Sequence, residues 1–340
     1  MQSENRIRIY DIQPSVGMPG GDVTIYCEGL HPLSLDEDGL HFCGDVSMIE
    51  GASTHKLVTH IPRTPVSTDV YIVQSGEIKS NVYHFYIPTC IAHTLHTVGS
   101  PAVNSMGDIF ATFSGTRGQL TPASVFRVTP DGEKRPIISA LMNATSLVIG
   151  PDDRLYISSR YDGNVYVSDY NGKYEVFARG LGEAFGLAFD SAGNLYVGDR
   201  SGSIFQVAPD GSTDFFADLP ASSIAYHLAV DSKDNLYVTL PVEIGENTIY
   251  RISPGGDVTD FITDLSEFHG IIVDSEDRIF VAEVCQGKGA VVMIDPETKQ
   301  KKRILSGDEI ISLAITPDGN LCVATFSKLY LVAGDKLELD

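Results

Sequence analysis

The chain has no tryptophan, no apolar run of bilayer-spanning length and little positive charge: 24 Lys and Arg stand against 45 Asp and Glu, a net charge of −21. Nucleic-acid affinity rests on basic side chains that neutralise phosphates, so this balance argues against a nucleic-acid partner, and against an anionic membrane surface. The one basic cluster, residues 299–303, falls between two strand patterns and reads as a solvated hairpin. Residues 1–10 are polar and lack an apolar leader core. As given, the sequence is expected in the cytoplasm, or outside it if a leader has been removed. Cysteines number five, an odd count that leaves at least one free thiol. Strand alternation groups Cys27 with inward Val23 and Ile25 and sets Cys43 on the other parity, so no bridge is expected between them. Missing too are a Gly-x-Ser-x-Gly elbow, a His-Glu-x-x-His pair, a phosphate-binding glycine loop and a Cys-x-x-Cys pair. His93 and His96 have odd spacing, which on a strand points them to opposite faces and argues against a zinc site.

What is present describes a folded all-β chain. Hydrophobic residues make up 43% and charged ones 20%, and 32 glycines without low-complexity runs imply many tight turns. At 340 residues the chain exceeds one ordinary core. Two units are expected, residues 1–90 and 91–340. In the first, alternating runs at 6–12, 22–29, 39–44, 56–61, 69–73 and 82–87 are bounded by Gly, Pro, Ser or Asp. Period-two alternation over such lengths marks half-buried strands, and this number of them makes a β-sandwich. The motifs Ile12-x-Pro14, Pro19-Gly20-Gly21-x-Val23-Thr24-Ile25, Gly29-Leu30, Phe42-x-Gly44 and Ile61-Pro62 resemble the IPT/TIG immunoglobulin-like fold of plexins and transcription factors. That resemblance implies presentation or packing, not catalysis. The acidic run Asp36-Glu37-Asp38 lacks the alternating ligand spacing of a calcium loop and reads as solvated.

From residue 100 one pattern returns six times. Its second strands contain Ile109-Phe110, Leu155-Tyr156, Leu195-Tyr196, Leu236-Tyr237, Ile279-Phe280 and Leu321-Cys322, so the repeat runs from 40 residues (Tyr156 to Tyr196) to 46 (Phe110 to Tyr156). Four strands per unit and a period near forty are the signature of propeller blades. One such blade cannot cover both of its faces, whereas six wrapped into a ring cover each other. The recurring aromatics are assigned to packing between blades. Residues 94–98 or 336–339 are the two candidates for the strand that closes the last blade.

Residues 94–340 resemble NHL-type and gluconolactonase-type (senescence-marker superfamily) six-bladed propellers, most clearly in Gly186-Leu187-Ala188-Phe189-Asp190 and Asn194-Leu195-Tyr196-Val197-Gly198-Asp199. Gluconolactonase-type enzymes hold a divalent cation, usually calcium, through a Glu, two Asn and an Asp at the starts of inner strands. The corresponding positions here are Gly99, Thr145, Phe185, Tyr226, His269 and Ile311, none of them a carboxylate or Asn. No metal and no cofactor are therefore expected, calcium being disfavoured. The remaining candidates are His269 and Tyr226 as catalytic groups, with Phe185, Thr145, His227, Glu183, Glu267, Arg160, Asp199 and Glu283 as ligand-binding groups near the same register. A histidine beside carboxylates is the raw material of general acid–base chemistry, while Asp199 and Glu283 equally suit turn fixation. Two functions compete. The first is a monomeric binding or scaffold protein that recognises a small molecule, carbohydrate or protein at the channel mouth. The second is a metal-independent lactone or ester hydrolase in which His269 transfers the proton and Tyr226 donates a hydrogen bond.

Overall fold

The structure is a computed structural model that describes residues 7–74, 78–221, 226–240, 247–265, 267–285 and 288–339. Near its start two antiparallel sheets face each other. One orders Arg8–Gln13, Asp22–Glu28, Lys56–His60 and Ile49–Ala52; the other centres on Leu35–Phe42 paired with Asp69–Gln74. Alternate residues of both meet in a shared core that includes Ile12, Val23, Ile25, Leu40, Phe42, Ile72 and Phe85. Cys27 and Cys43 both lie in this core as free thiols. The expectation that Cys43 faces away fails because its strand stops at Phe42 and Cys43 takes φ 53°, which turns its side chain back inward. Burial pushes the two thiols up to about 11 for Cys27 and about 12 for Cys43, so both stay protonated. The side chains of Asp36, Glu37 and Asp38 lie outside the described residues.

The rest of the chain forms six four-stranded antiparallel blades. Their first strands are Ala102–Val103, Ala144–Ile149, Ala184–Phe189, His227–Val230, Glu267–Val273 and Ile310–Ile315. Each touches the next, and the first touches the last, so the ring closes around an axis. Blade 6 takes its fourth strand from the N-terminal side: Thr89–His93 pairs with Lys328–Val332. Closure thus lies just upstream of residues 94–98, because Thr94 at φ 58° ends the strand and His96 makes only an isolated bridge to Phe113. In the other candidate segment, Gly334–Lys336 is a single 3-10 turn.

The repeated Asp-x-x-x-Asn-Leu-Tyr motif has two jobs. Within blade 3, Asp190 Oδ1 accepts the Ala192 and Asn194 N–H groups at 3.0 and 2.8 Å, and its Oδ2 accepts the Tyr196 hydroxyl at 3.3 Å. Asp231, Asn235 and Tyr237 repeat the arrangement in blade 4. The recurring aromatics therefore anchor turns as well as packing between blades. Across blades, Ser191 donates its N–H and hydroxyl to Asp234, and Ser232 does the same to Asp277 at 2.8 and 2.6 Å. Asp277→Ala is expected to lower stability by about 1 kcal/mol, read as a shifted urea midpoint, since two hydrogen bonds to a part-exposed carboxylate are lost.

The sandwich docks on the ring through the segment between its first two strands. Val16 and Met18 enter a core shared with Leu305, Ile310 and Phe280, and Met18 N–H donates to Ser306 O at 2.7 Å. A Cβ on Gly21 would sit 2.6 Å from the Gly307 nitrogen, so the glycine is required by this close approach as much as by the turn. Among the described residues no helix is long and apolar enough to cross a membrane.

Candidate functional site

In each blade the start of the first strand pairs with the end of the second: Ala144 with Ser159, Ala184 with Asp199, His227 with Thr239, Phe268 with Glu283. All ten expected site residues therefore belong to one rim of the ring. They do not share one environment, because some stand part-exposed at the rim while others are buried between blades.

Blade 4 is where this matters. Tyr226 is completely buried among Tyr196, Leu228 and Val238, between blades 3 and 4, and its hydroxyl donates to the Pro220 carbonyl. It is a packing residue and does not face the mouth. His227 takes the channel position instead. Its Nδ1 lies 3.2 Å from the Ser100 hydroxyl at the start of blade 1, across the axis, and that hydroxyl lies 3.2 Å from Ser312 Oγ on blade 6. Ser100 N–H donates to Ser146 Oγ on blade 2 at 3.0 Å. Gly270 belongs to the same layer, where a Cβ would come within 2.5 Å of Ser312 Oγ. This polar layer crosses the channel. Beyond it the channel opens into a cavity of about 310 Å³, bordered by Val103, Ile149, Phe189, Val230, Val273 and Ile315 toward the opposite rim.

Over the polar layer sits His269, its side chain 22% exposed, with Nε2 3.5 Å from Glu267 Oε1. The His269 carbonyl accepts the Thr239 hydroxyl at 2.9 Å, which fixes the strand. Burial lowers the affinity of His269 for a proton, and the Glu267 charge opposes this. His227 is pushed down to about 3 by burial first and by the His269 charge second. Near neutral pH the mouth thus presents two unprotonated imidazoles, one sealed beneath the other. The Phe185 ring meets His227 edge-on, centroids 5.8 Å apart.

A second group lies on the blade 2 and blade 3 side of the rim. Glu183 Oε1 accepts Arg117 Nη1 at 2.5 Å and its Oε2 accepts Arg200 Nη1 at 3.2 Å. Arg160 sits beside them and donates from Nη2 to the Gly115 carbonyl at 3.1 Å. The other candidates are committed to structure. Asp199 accepts the Glu183 N–H at 2.7 Å and the Ser201 hydroxyl, Thr145 donates to the Asn143 carbonyl at 2.8 Å, and Glu283 lies 3.6 Å from Arg303 on the blade's outer strand. Ser100, Ser312 and Arg117 escaped the sequence reading. The signal for Arg117 was the 46-residue first spacing, which carries its long connection between the second and third strands.

Among the described residues no three His, Cys, Asp or Glu side chains are placed to hold a metal ion. Another concavity, about 480 Å³ between sandwich and ring, includes Asp22, Lys302, Arg303 and Glu338. Its charges already face opposite ones, Lys302 at 4.0 Å from Glu338 and Arg303 at 3.6 Å from Glu283.

No family model matches the chain, and no curated protein matches it by sequence. Solved structures do resemble it in fold. A gluconolactonase from Xanthomonas campestris is 16% identical with a TM-score of 0.59, over 72% of this chain and 88% of that one. A catalytically inactive histidine-to-alanine variant of virginiamycin B lyase from Staphylococcus aureus, bound to quinupristin, is 15% identical with a TM-score of 0.52, over 70% and 80%. An auxiliary nutrient binding protein from Bacteroides ovatus is 11% identical with a TM-score of 0.53, over 97% and 98%. At these identities the likeness establishes the propeller fold and is consistent with either binding or catalysis.

Proposed function

We propose that the chain is a small-molecule-binding propeller whose ligand sits at the histidine rim, with residues 1–90 as an IPT/TIG-like module that fixes how residues 91–340 are presented. The observation that carries this reading is the pairing of a part-exposed, unprotonated His269 and Glu267 above a channel crossed by His227, Ser100 and Ser312. Such a floor gives a ligand a donor–acceptor surface instead of an open pore. The likeness to the nutrient binding protein spans nearly all of both chains, sandwich included, which supports binding over an inherited enzymatic role.

A second reading keeps the same residues and adds turnover. An unprotonated imidazole held near a carboxylate can take a proton from a bound substrate, and the lyase neighbour is inactive in a histidine-to-alanine form. Tyr226 has no part in it, being sealed in the core.

A panel of sugars, sugar acids, lactones and quinupristin, assayed by calorimetry and for product formation with and without EDTA, separates the readings. Saturable binding without turnover, weakened about tenfold or more by His269→Ala, is the expected result. Turnover that disappears in His269→Ala and survives EDTA establishes the second reading. Binding or turnover unchanged in His269→Ala removes the rim as the site.

A further inference from the structure

Arg117 and Arg200 hold the Glu183 carboxylate, Arg160 lies beside them and the Asp199 carboxylate accepts the Glu183 N–H, so among the described residues three guanidiniums meet two carboxylates in a chain whose net charge is −21. Glu183 already shows the geometry the cluster accepts: one carboxylate oxygen on Arg117, the other on Arg200. Arg160 is left over. Its Nη2 reaches the Gly115 carbonyl, but its Nε is buried and meets no hydrogen-bond acceptor among the described residues. Burial, and then the charges of Arg200 and Arg117, make its proton less tightly held than usual, with Glu183 opposing. A guanidinium does not discharge in a protein, so an anion placed beside these arginines is favoured. The cluster shares its rim with His269, on the side of blades 2 and 3, whereas His269 belongs to blade 5.

We propose that this arginine cluster recognises the carboxylate of a small acidic ligand, a sugar acid or hydroxy acid, whose uncharged part extends toward the His269 side of the mouth. The inference rests on the ligand-binding reading above and narrows it to one class. A ligand carboxylate beside Glu183 adds a third anion opposite the three guanidiniums. Planar carboxylates match guanidinium forks with two parallel hydrogen bonds, which favours them over a point-charge interaction. The surrounding negative charge makes the cluster a local exception, so selectivity comes from the site and not from the overall field.

The test is calorimetric titration of the full chain with galacturonate, gluconate and citrate, against galactose and glucose as uncharged counterparts and inorganic phosphate and sulfate as tetrahedral anions. The acids are expected to bind more tightly than the neutral sugars, and more weakly as sodium chloride is added. Arg160→Gln is expected to weaken acid binding by about tenfold while leaving neutral-sugar binding unchanged. Glu183→Gln removes the resident anion and is expected to strengthen acid binding by about two- to fivefold, an opposite sign that a purely structural role would not produce. Arg117→Gln, at a largely exposed side chain, repeats the test should Arg160→Gln fail to fold. If neutral sugars bind and respond to His269→Ala while acids gain nothing from the arginines, the inference falls and the ligand-binding reading stands. Preference for phosphate or sulfate over every carboxylate overturns the ligand class, and absence of binding by every probe overturns both.

Discussion

An Ala92→Asp variant is expected to lose about 3 kcal/mol or more of stability, read as a large fall in urea midpoint or loss of a cooperative transition. Ala92 is 4% exposed and belongs to Thr89–His93, the strand that completes blade 6. Its core neighbours come from both sides of the seam: Ile109 and Val128 of blade 1, Cys322 and Leu329 of blade 6. A carboxylate there has no partner among apolar side chains, so it is buried charged or forced to protonate, and either is costly. Thr89 on the same strand is exposed. Thr89→Asp is therefore expected to cost less than about 1 kcal/mol. Equal effects from the two would mean that this strand does not seal the ring.

The second large effect is acid sensitivity through His227. An imidazole in the unfolded chain gains its proton near 6.5, the folded His227 only near 3. Between these values the unfolded state binds more protons, so stability is complete above 6.5 and lost as pH falls toward 3. The slope approaches about 1.4 kcal/mol per pH unit, or roughly 2–3 kcal/mol between pH 6.5 and 4.5. Carboxylates add their own acid dependence, so the decisive quantity is the difference between wild type and His227→Gln, which keeps a polar group near Ser100 without the titration. The variant is expected to lack that much of the slope. Identical pH profiles would place His227 in contact with water.

How much of this was legible in the sequence depended on whether local pattern or long-range geometry decided the matter. The blades were legible because Leu195-Tyr196 and its five counterparts mark each second strand, and the Asp-x-x-x-Asn turn before several of them is itself a hydrogen-bonded device. The rim was legible through the same repeat. Which side chain enters the channel was not. Aligning by position put Tyr226 beside His269, but Tyr226 is buried between blades and the next residue, His227, joins Ser100 and Ser312 in the channel. Cys43 was misplaced because it is a single left-handed residue at a strand end. The arginine cluster was half visible: Glu183, Arg160 and Arg200 lie near the repeat register, but Arg117 comes from an insertion that no periodicity aligns.

The site's location is tested most directly by histidine-selective ring spectra at pH 7, recorded as the binding probes are added. The account predicts that the His269 ring signals move and that His227 stays in its neutral form. The exposed His84 on the sandwich should remain unchanged. Shifts confined to methyl groups such as Val273 and Ile315 at the opposite end of the channel, with His269 unmoved, would contradict it.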